Sequence, residues 1–375
     1  MSGTIQIKEQ NIPEVVNSNR NELALKYSLR ISRGILRVIG GWPLNEETST
    51  IEMIYSYFAN ILSYFLFTFI LLPGLLRTFL IEKNVKVRLK LLGHLVSTSI
   101  NATKYTILMA RRNKLRKCMK HVRDDWKKVL LEDDYESMMS HATVGRTLAV
   151  MSASFIYGAG MSYRTILPLS KGKLIIGNVT IRPLACPSYF AIFNEQESPV
   201  YELVFFLQFL AGFFGYSVTC GVCSLATFLI MHVCGQLEIL MRMMRDIVVR
   251  KDEDGFDPDK RIAEVIQHQI RAKNFVKDVE EILQYMCMFE ILGCTSLDWE
   301  NSDTTGLGTK VAITSCTLNW YRLPTQSARS LVLIILASHH PIKIVAGKIM
   351  DMSLSNFSSI IKTAVGYFNI LHNRI

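Results

Sequence analysis

The stretch "MIYSYFANILSYFLFTFILLPGLL", Met53 to Leu76, contains no charged residue. A helix needs about 20 apolar residues to cross the hydrocarbon of a bilayer, so this block suffices for one crossing. A second block, Leu203 to Leu237, also lacks Asp, Glu, Lys and Arg. It exceeds one crossing and predicts a helix that continues past the bilayer. A third, Thr147 to Tyr163, is just long enough. Weaker candidates are Leu89 to Ala110, interrupted by Lys90, His94 and Lys104, and Met352 to Leu371, interrupted by Lys362. A marginal one runs from Ile282 to Leu297. These blocks are too long for the core elements of soluble domains, and they predict an all-α, polytopic membrane protein.

Composition agrees with that class. Of 375 residues, 49% are hydrophobic and only 20% are charged, less charge than a soluble protein of this size carries. The first fifty residues are polar and charged, without the apolar core of a secretory signal, so the first span is expected to act as an uncleaved anchor. Orientation follows from the lysines and arginines of the loops. "RRNKLRKCMKHVRDDWKKVLLEDD", from Arg111, is densely basic, and so is the stretch from Arg242 to Lys277. If the first four spans all cross, both lie on one side with the N-terminus, and that side is expected to be cytoplasmic. The loop from Thr165 to Pro199 then lies outside. It holds the sequon Asn178-Val179-Thr180, the expected glycosylation site. Two further sequons, at Asn101 and Asn356, fall inside candidate spans. The net charge of +10 thus reads as inside-facing loops and not as a nucleic-acid surface, since the basic residues flank spans.

No catalytic constellation is present: there is no phosphate-binding glycine loop, no HExxH and no GxSxG elbow. An enzyme is not expected, nor a cofactor. Eight cysteines are scattered along the chain. Cys220 and Cys223 form a CxxC with His232 and Cys234 nearby, but they sit in an apolar helix, where Cys acts as a small hydrophobe. His339-His340 precedes Pro341 and marks a helix break better than a metal site. Cys186 falls in the external loop with no obvious partner.

The external halves of the third and fourth spans read "SFIYGAGMSYRTILP" and "YELVFFLQFLAGFFGYS". Tyr157, Tyr163, Phe205, Phe206, Phe209 and Phe213 alternate there with Gly158, Gly160, Ala211, Gly212 and Gly215. Aromatic walls around small residues suit an apolar ligand cavity; close helix packing through small residues is the other reading. The last segment, "KIMDMSLSNFSSIIKTAVGYFNILHNRI", places Ser355, Ser358 or Ser359, and Lys362 on one helical face. That face suits a conduit, or interhelical hydrogen bonds with Lys362 snorkelling or paired.

The chain resembles the insect odorant receptors, particularly those of ants, bees and wasps. The resemblance rests on "GWPLNEETSTIEMIYSY", "LRKCMKHVRDDWKKV", "YRTILPLSKGKLIIGNVTIRPLACPSYF", "SPVYELVFFLQFLAGF", "MHVCGQLEILMRMM" and the stretch from Trp320 to Phe368. It implies a seven-helix bundle in the plasma membrane with a cytoplasmic N-terminus. It also implies a ligand-tuned subunit of an odorant-gated cation channel, assembled with the odorant receptor co-receptor, usually as a heterotetramer. Small volatile odorants are then the ligands. Depth in the family's bundle places His94, Tyr157, Gly160, Met161, Phe205 and Phe209 at the odorant site. Tyr367-Phe368 matches the pair that precedes the family's pore gate, which puts Ile370 at the gate and Asn373 one turn later. Gln236 to Arg245, Glu264 to Glu281, and Trp320 to Lys348 match the cytoplasmic subunit anchor.

These readings divide the chain into a cytoplasmic segment (1–50), four spans with an external loop at 165–199 (51–240), an anchor region with the fifth helix and a shortened sixth (241–348), and a pore-lining last helix (349–375). The shortening is read from "TSLDWENSDTTGLGTKVAITS", Thr295 to Ser315. A helix over 306–319 spans roughly 21 Å, against about 30 Å for the hydrocarbon core, so most of the sixth helix is expected to be missing. Two other readings stand beside the channel subunit: a seven-helix receptor signalling through a G protein, and a truncated form without function.

Overall fold

A computed structural model describes residues 14–44, 48–171, 174–176, 179–190, 193–249, 257–293, 345–346 and 350–351. Seven α-helices make up nearly all of it: α1 (Glu14–Val38), α2 (Thr50–Leu76), α3 (Val85–Ala110), α4 (Arg112–Lys128), α5 (Glu132–Lys171), α6 (Val200–Val249) and α7 (Pro258–Gly293). A π-turn, Arg77–Ile81, extends α2. Two short antiparallel pairs complete the described chain: β1 (Leu174–Ile176) with β2 (Val179–Ile181), and β3 (Val345–Ala346) with β4 (Met350–Asp351). The resemblance implied helix at 345–351; Gly347, between the two strands, is a poor helix former.

The first four expected spans correspond to α2, α3, α5 and α6. The stretch Thr50–Ile81 and α6 are long and apolar enough to cross a membrane, but they solve different burial problems. Only 33% of the most apolar window of α2 is buried, and Ile51, Ile54, Phe58, Ile61, Phe65 and Leu72 are exposed on it. An exposed apolar surface this long needs lipid against it. The corresponding window of α6 is 94% buried. Helix α6 runs through the middle of the bundle, packs most extensively on α5, and also touches α1, α2, α3 and α7. Val218, Val222, Leu225, Leu229, Leu237 and Leu240 on it are essentially inaccessible. With 50 residues it is roughly 75 Å long at about 1.5 Å per residue, so it continues well past any bilayer, as its sequence predicts.

The cysteines of the CxxC, Cys220 and Cys223, and Cys234 are buried in α6. Asn101, whose sequon lies within α3, accepts a hydrogen bond from Thr219 of α6 at 3.0 Å. Thr219 in turn accepts one from the buried Lys104 at 2.9 Å.

The basic segments gather at one end of the bundle. There Arg20 of α1 pairs with Glu132 of α5, Lys114 of α4 with Glu281 of α7, and Arg242 of α6 with Asp134 of α5. A buried cluster joins α4, α6 and α7 beneath them. The Asp125 carboxylate accepts from His232 Nε2 at 3.0 Å and pairs with Arg271 at 2.5 Å. Arg271 Nε donates to His121 Nε2 at 3.3 Å, and Phe275 lies against both His rings. Burial alone would raise the Asp125 pKa, but the His232 hydrogen bond and the surrounding positive charges outweigh it and hold the carboxyl below its ordinary value. Burial lowers His121, with Asp125 opposing. The 3.6 Å His121–Asp125 contact is therefore not an ion pair at neutral pH. Burial also lowers His268, whose ring meets the Gln236 carbonyl at 3.1 Å.

The pH dependence follows from these directions. A histidine lowered in the folded state takes up its proton later than in the unfolded chain, so stability is lost as pH falls below about 6.5, the ordinary imidazole value. Asp125 adds a loss only at more acid pH, as it is protonated through its lowered value. The melting temperature of the purified protein in detergent is expected to fall between pH 7.5 and 5.5. His121→Phe should flatten that slope; an unchanged slope would place the titration elsewhere.

Candidate functional site

At the opposite end of the bundle, the chain between β2 and α6 turns inward between α2, α3, α5 and α6. Gln208, inaccessible on α6, is what holds it. Its side-chain amide pairs with one residue as a neighbouring strand would: Oε1 accepts from the Cys186 N–H at 2.9 Å and Nε2 donates to the Cys186 carbonyl at 2.8 Å. Nε2 also donates to Ser188 Oγ at 3.0 Å. The Tyr189 N–H donates to the Pro73 carbonyl of α2 at 3.1 Å, and Arg77 donates to the Ser188 carbonyl at 3.3 Å. An irregular segment can enter the bundle only if its backbone groups find partners there, and Gln208, Pro73 and Arg77 supply them.

The loop brings Cys186 to the centre of a polar cluster. Its thiol meets His94 Nε2 of α3 at 2.9 Å and Arg164 Nη1 of α5 at 3.3 Å. Burial pushes the thiol pKa up and the Arg164 charge opposes it, so Cys186 stays a neutral thiol at physiological pH. Arg164 also donates to the Gln208 carbonyl at 3.0 Å and, through Nε, to Tyr216 Oη at 3.3 Å. Every one of these partners is neutral, and Arg164 has no carboxylate partner among the described residues. Its side chain is only 7% exposed. A guanidinium buried without a counter-charge favours any acceptor oxygen brought beside it.

Two glycines make this arrangement possible. A Cβ at Gly212 would stand 2.4 Å from Arg164 Cδ, and one at Gly160 would stand 2.4 Å from the Tyr216 ring. One layer further in, Ser217 donates to the Phe213 carbonyl at 2.7 Å. Its single proton is thereby used, so Tyr157 donates to Ser217 Oγ at 2.7 Å. The Tyr157 ring lies against Phe213, centroids 5.6 Å apart.

Of the six residues expected at a ligand site, His94 lines a small cavity with Ile70, Leu91, Cys186 and Ser188. Tyr157 and Gly160 lie on the α5–α6 contact, at Ser217 and Tyr216. Met161, Phe205 and Phe209 are half-buried on α5 and α6, and Phe205 stacks on Tyr201 at 6.1 Å. Asn178, Lys362, Ile370, Asn373 and the shortened interval 295–319 lie outside the described residues. Arg164, Gln208 and Tyr216 were not singled out in the sequence, and Cys186 was noted there only as a loop cysteine with no obvious partner. A signal did exist: Gln208 stands within an uncharged block and Arg164 just past the end of another, and polar groups so placed point to an interior role. Among the described residues no group of His, Cys, Asp and Glu could hold a metal ion.

The profile of the family described as 7tm Odorant receptor matches residues 84–297. The chain is 20% identical to Odorant receptor 10 of Aedes albopictus, over 74% of this chain and 82% of that protein. The insect olfactory receptor OR5 of Machilis hrabei, solved in complex with eugenol, has the same fold. The TM-score is 0.72 at 14% identity, covering 95% of this chain and 100% of that one. A second structure of that receptor gives a TM-score of 0.71 at 13% identity, covering 94% and 98%.

Gln208→Leu would strip the loop of three hydrogen bonds and leave the Cys186 N–H buried without a partner, while the Cys186 carbonyl keeps only the Ser188 hydroxyl at 2.9 Å. The expected destabilisation is about 1–3 kcal/mol, the cost of one buried group left without a partner. It should appear as a lowered melting temperature and faster proteolysis within 182–190. Gln208→Glu should recover only part of the loss, because the carboxylate still accepts but no longer donates.

Proposed function

Since this chain belongs to the 7tm odorant receptor family, we propose that it is the ligand-tuned subunit of an odorant-gated cation channel, formed with the odorant receptor co-receptor. It is a multi-pass membrane receptor. The observation that carries the orientation is the clustering of charge. The basic segments after Arg111 and Arg242 and the helix α1 pack together at one end of the bundle, which supports a cytoplasmic N-terminus by the positive-inside rule. The loop end, with Asn178 nearby in sequence, then faces outward.

The odorant binds in the outer half of the bundle, among His94, Tyr157, Gly160, Met161, Phe205 and Phe209, with Arg164 as the polar anchor. The fold in Machilis hrabei is solved with eugenol, which supports a small-molecule ligand here. The aromatic walls favour an apolar body. The Arg164 guanidinium, satisfied only by neutral groups, favours odorants that carry an acceptor such as a carbonyl, ester or carboxylate oxygen over hydrocarbons of equal size. Binding opens the channel to the extent that the ligand prefers the open state, and Ile370, with Asn373 a turn later, forms the gate of the last helix.

Two other readings are separable. A G-protein-coupled receptor would expose an N-terminal tag on unpermeabilised cells, whereas this reading keeps the tag hidden. A truncated form that lost one crossing would place the C-terminus on the cytoplasmic side and would carry no odorant current with the co-receptor.

Co-expression with a co-receptor should yield inward cation current to part of an odorant panel; no current to any odorant, with surface expression shown, would overturn the reading. Arg164→Met should weaken responses to acceptor-bearing odorants roughly 10- to 100-fold, the value of a hydrogen bond to a charged group. Responses to matched hydrocarbons should be spared. Ile370→Ala should raise basal current, because a narrower apolar side chain lets the closed pore wet; unaltered basal current and selectivity would assign the gate to the co-receptor.

A further inference from the structure

Helix α1 has two faces with different tasks. Ala24, Leu25, Ser28, Ser32 and Leu36 are buried against the bundle. Lys26, Arg30, Arg33 and Arg37 are exposed, and at about 100° per residue they fall on one strip on the opposite side. Two of the four are engaged, Lys26 with Glu22 and Arg37 with Glu52. Arg30 and Arg33 make no ion pair among the described residues. Beside this strip, α1 and α5 part to leave an open groove of about 460 Å³. It is walled by Ile31 and Ile35 on one side and by Val150 and Ala153 on the other, with Arg30 on its rim. Gly34 forms part of its floor, and a Cβ there would meet nothing within 4 Å. The walls are fixed, since the Arg146 guanidinium of α5 lies over the Tyr27 ring of α1 at 4.0 Å.

The level of the groove in the bundle decides what can fill it. Tyr157, at its inner end, bonds to Ser217, roughly 25 Å along α6 from Val200 at about 1.5 Å per residue. In a hydrocarbon core of about 30 Å, Tyr157 then lies close to the edge of the core on the N-terminal side, and the groove runs from there across that edge, with Arg30 on the headgroup side. An apolar slot that opens at that depth under unpaired guanidiniums matches one molecule of that leaflet, an anionic phospholipid.

We infer that the α1–α5 groove binds an anionic phospholipid, its acyl chain against Ile31, Ile35, Val150 and Ala153 and its phosphate on Arg30 and Arg33. The inference uses the membrane orientation proposed above but not the odorant reading, and it is tested without odorant. Guanidiniums attract anionic headgroups at about 1 kcal/mol each near a membrane surface, and the slot adds a place for the chain that a bare basic surface lacks.

The test is a lipid titration of the full chain purified in uncharged detergent, read as melting temperature. Dioleoylphosphatidylserine is compared with dioleoylphosphatidylcholine and with water-soluble glycerophosphoserine. Phosphatidylserine should stabilise the protein at concentrations well below those needed for phosphatidylcholine, and glycerophosphoserine should do nothing. Arg30→Gln with Arg33→Gln should weaken the phosphatidylserine effect roughly 30-fold. Gly34→Phe, which enters open space and so leaves the packing intact, should block the slot and weaken it as well. Equal stabilisation by both lipids, or an equal effect of glycerophosphoserine, would overturn the site. So would loss of selectivity in the arginine variant with none in Gly34→Phe, because a diffuse basic surface would then be enough.

Discussion

Helix α6 carries no charged residue from Leu203 to Leu237, and the rest of the bundle is arranged to cover it. A helix with no charged face can persist only inside protein or inside lipid. For α6 the answer is protein: α1, α2, α3, α5 and α7 all pack on it, and 94% of its most apolar window is buried. The covering helices then meet the lipid themselves. That is why α2, at 33% burial, carries its exposed isoleucines and phenylalanines on the surface without penalty. Burial of α6 also explains its length. Because it stays covered beyond the expected membrane boundary, where α4 and α7 take over from the spans, it continues as one uninterrupted helix.

Polar groups are placed where α6 emerges from its apolar surroundings, and the two ends use them differently. At the basic end, Asp125, His232 and Arg271 form a buried charge network between α4, α6 and α7 in which each charge has a partner. At the loop end, Arg164 is surrounded by a thiol, a carbonyl and a phenol. A closed network stabilises one packing. A guanidinium left without its counter-charge keeps electrostatic attraction in reserve for something that arrives later. The first arrangement holds helices in register, and the second leaves a positive charge that only neutral groups satisfy.

The loop end also shows how small residues are used. Gly160 and Gly212 could have served only to let α5 and α6 approach each other. Instead they seat the Tyr216 ring and the Arg164 side chain between the helices. The space is filled by polar and aromatic groups belonging to the protein, so the two glycines serve close packing and seat the polar cluster as well.

Much of this fold was legible in the residues. The uncharged blocks at Met53–Leu76 and Leu203–Leu237 demand helices long enough to span, because backbone groups in hydrocarbon have no other way to be satisfied. The positions of Lys and Arg are a linear property, and their clustering at one end follows from the order of the spans. What the sequence could not contain is which side of each helix faces which neighbour. His94, Arg164, Cys186 and Gln208 are separated along the chain and become one cluster only because the loop between β2 and α6 folds inward onto α6. No period or motif encodes that insertion; it depends on Gln208 meeting a backbone it cannot recognise until the helices are packed. Hydrophobic blocks determine that helices form and cross, since that is a matter of transfer from water along one segment. Only tertiary structure decides which polar groups end up buried together, since that depends on the simultaneous fit of segments that have no local interaction with one another.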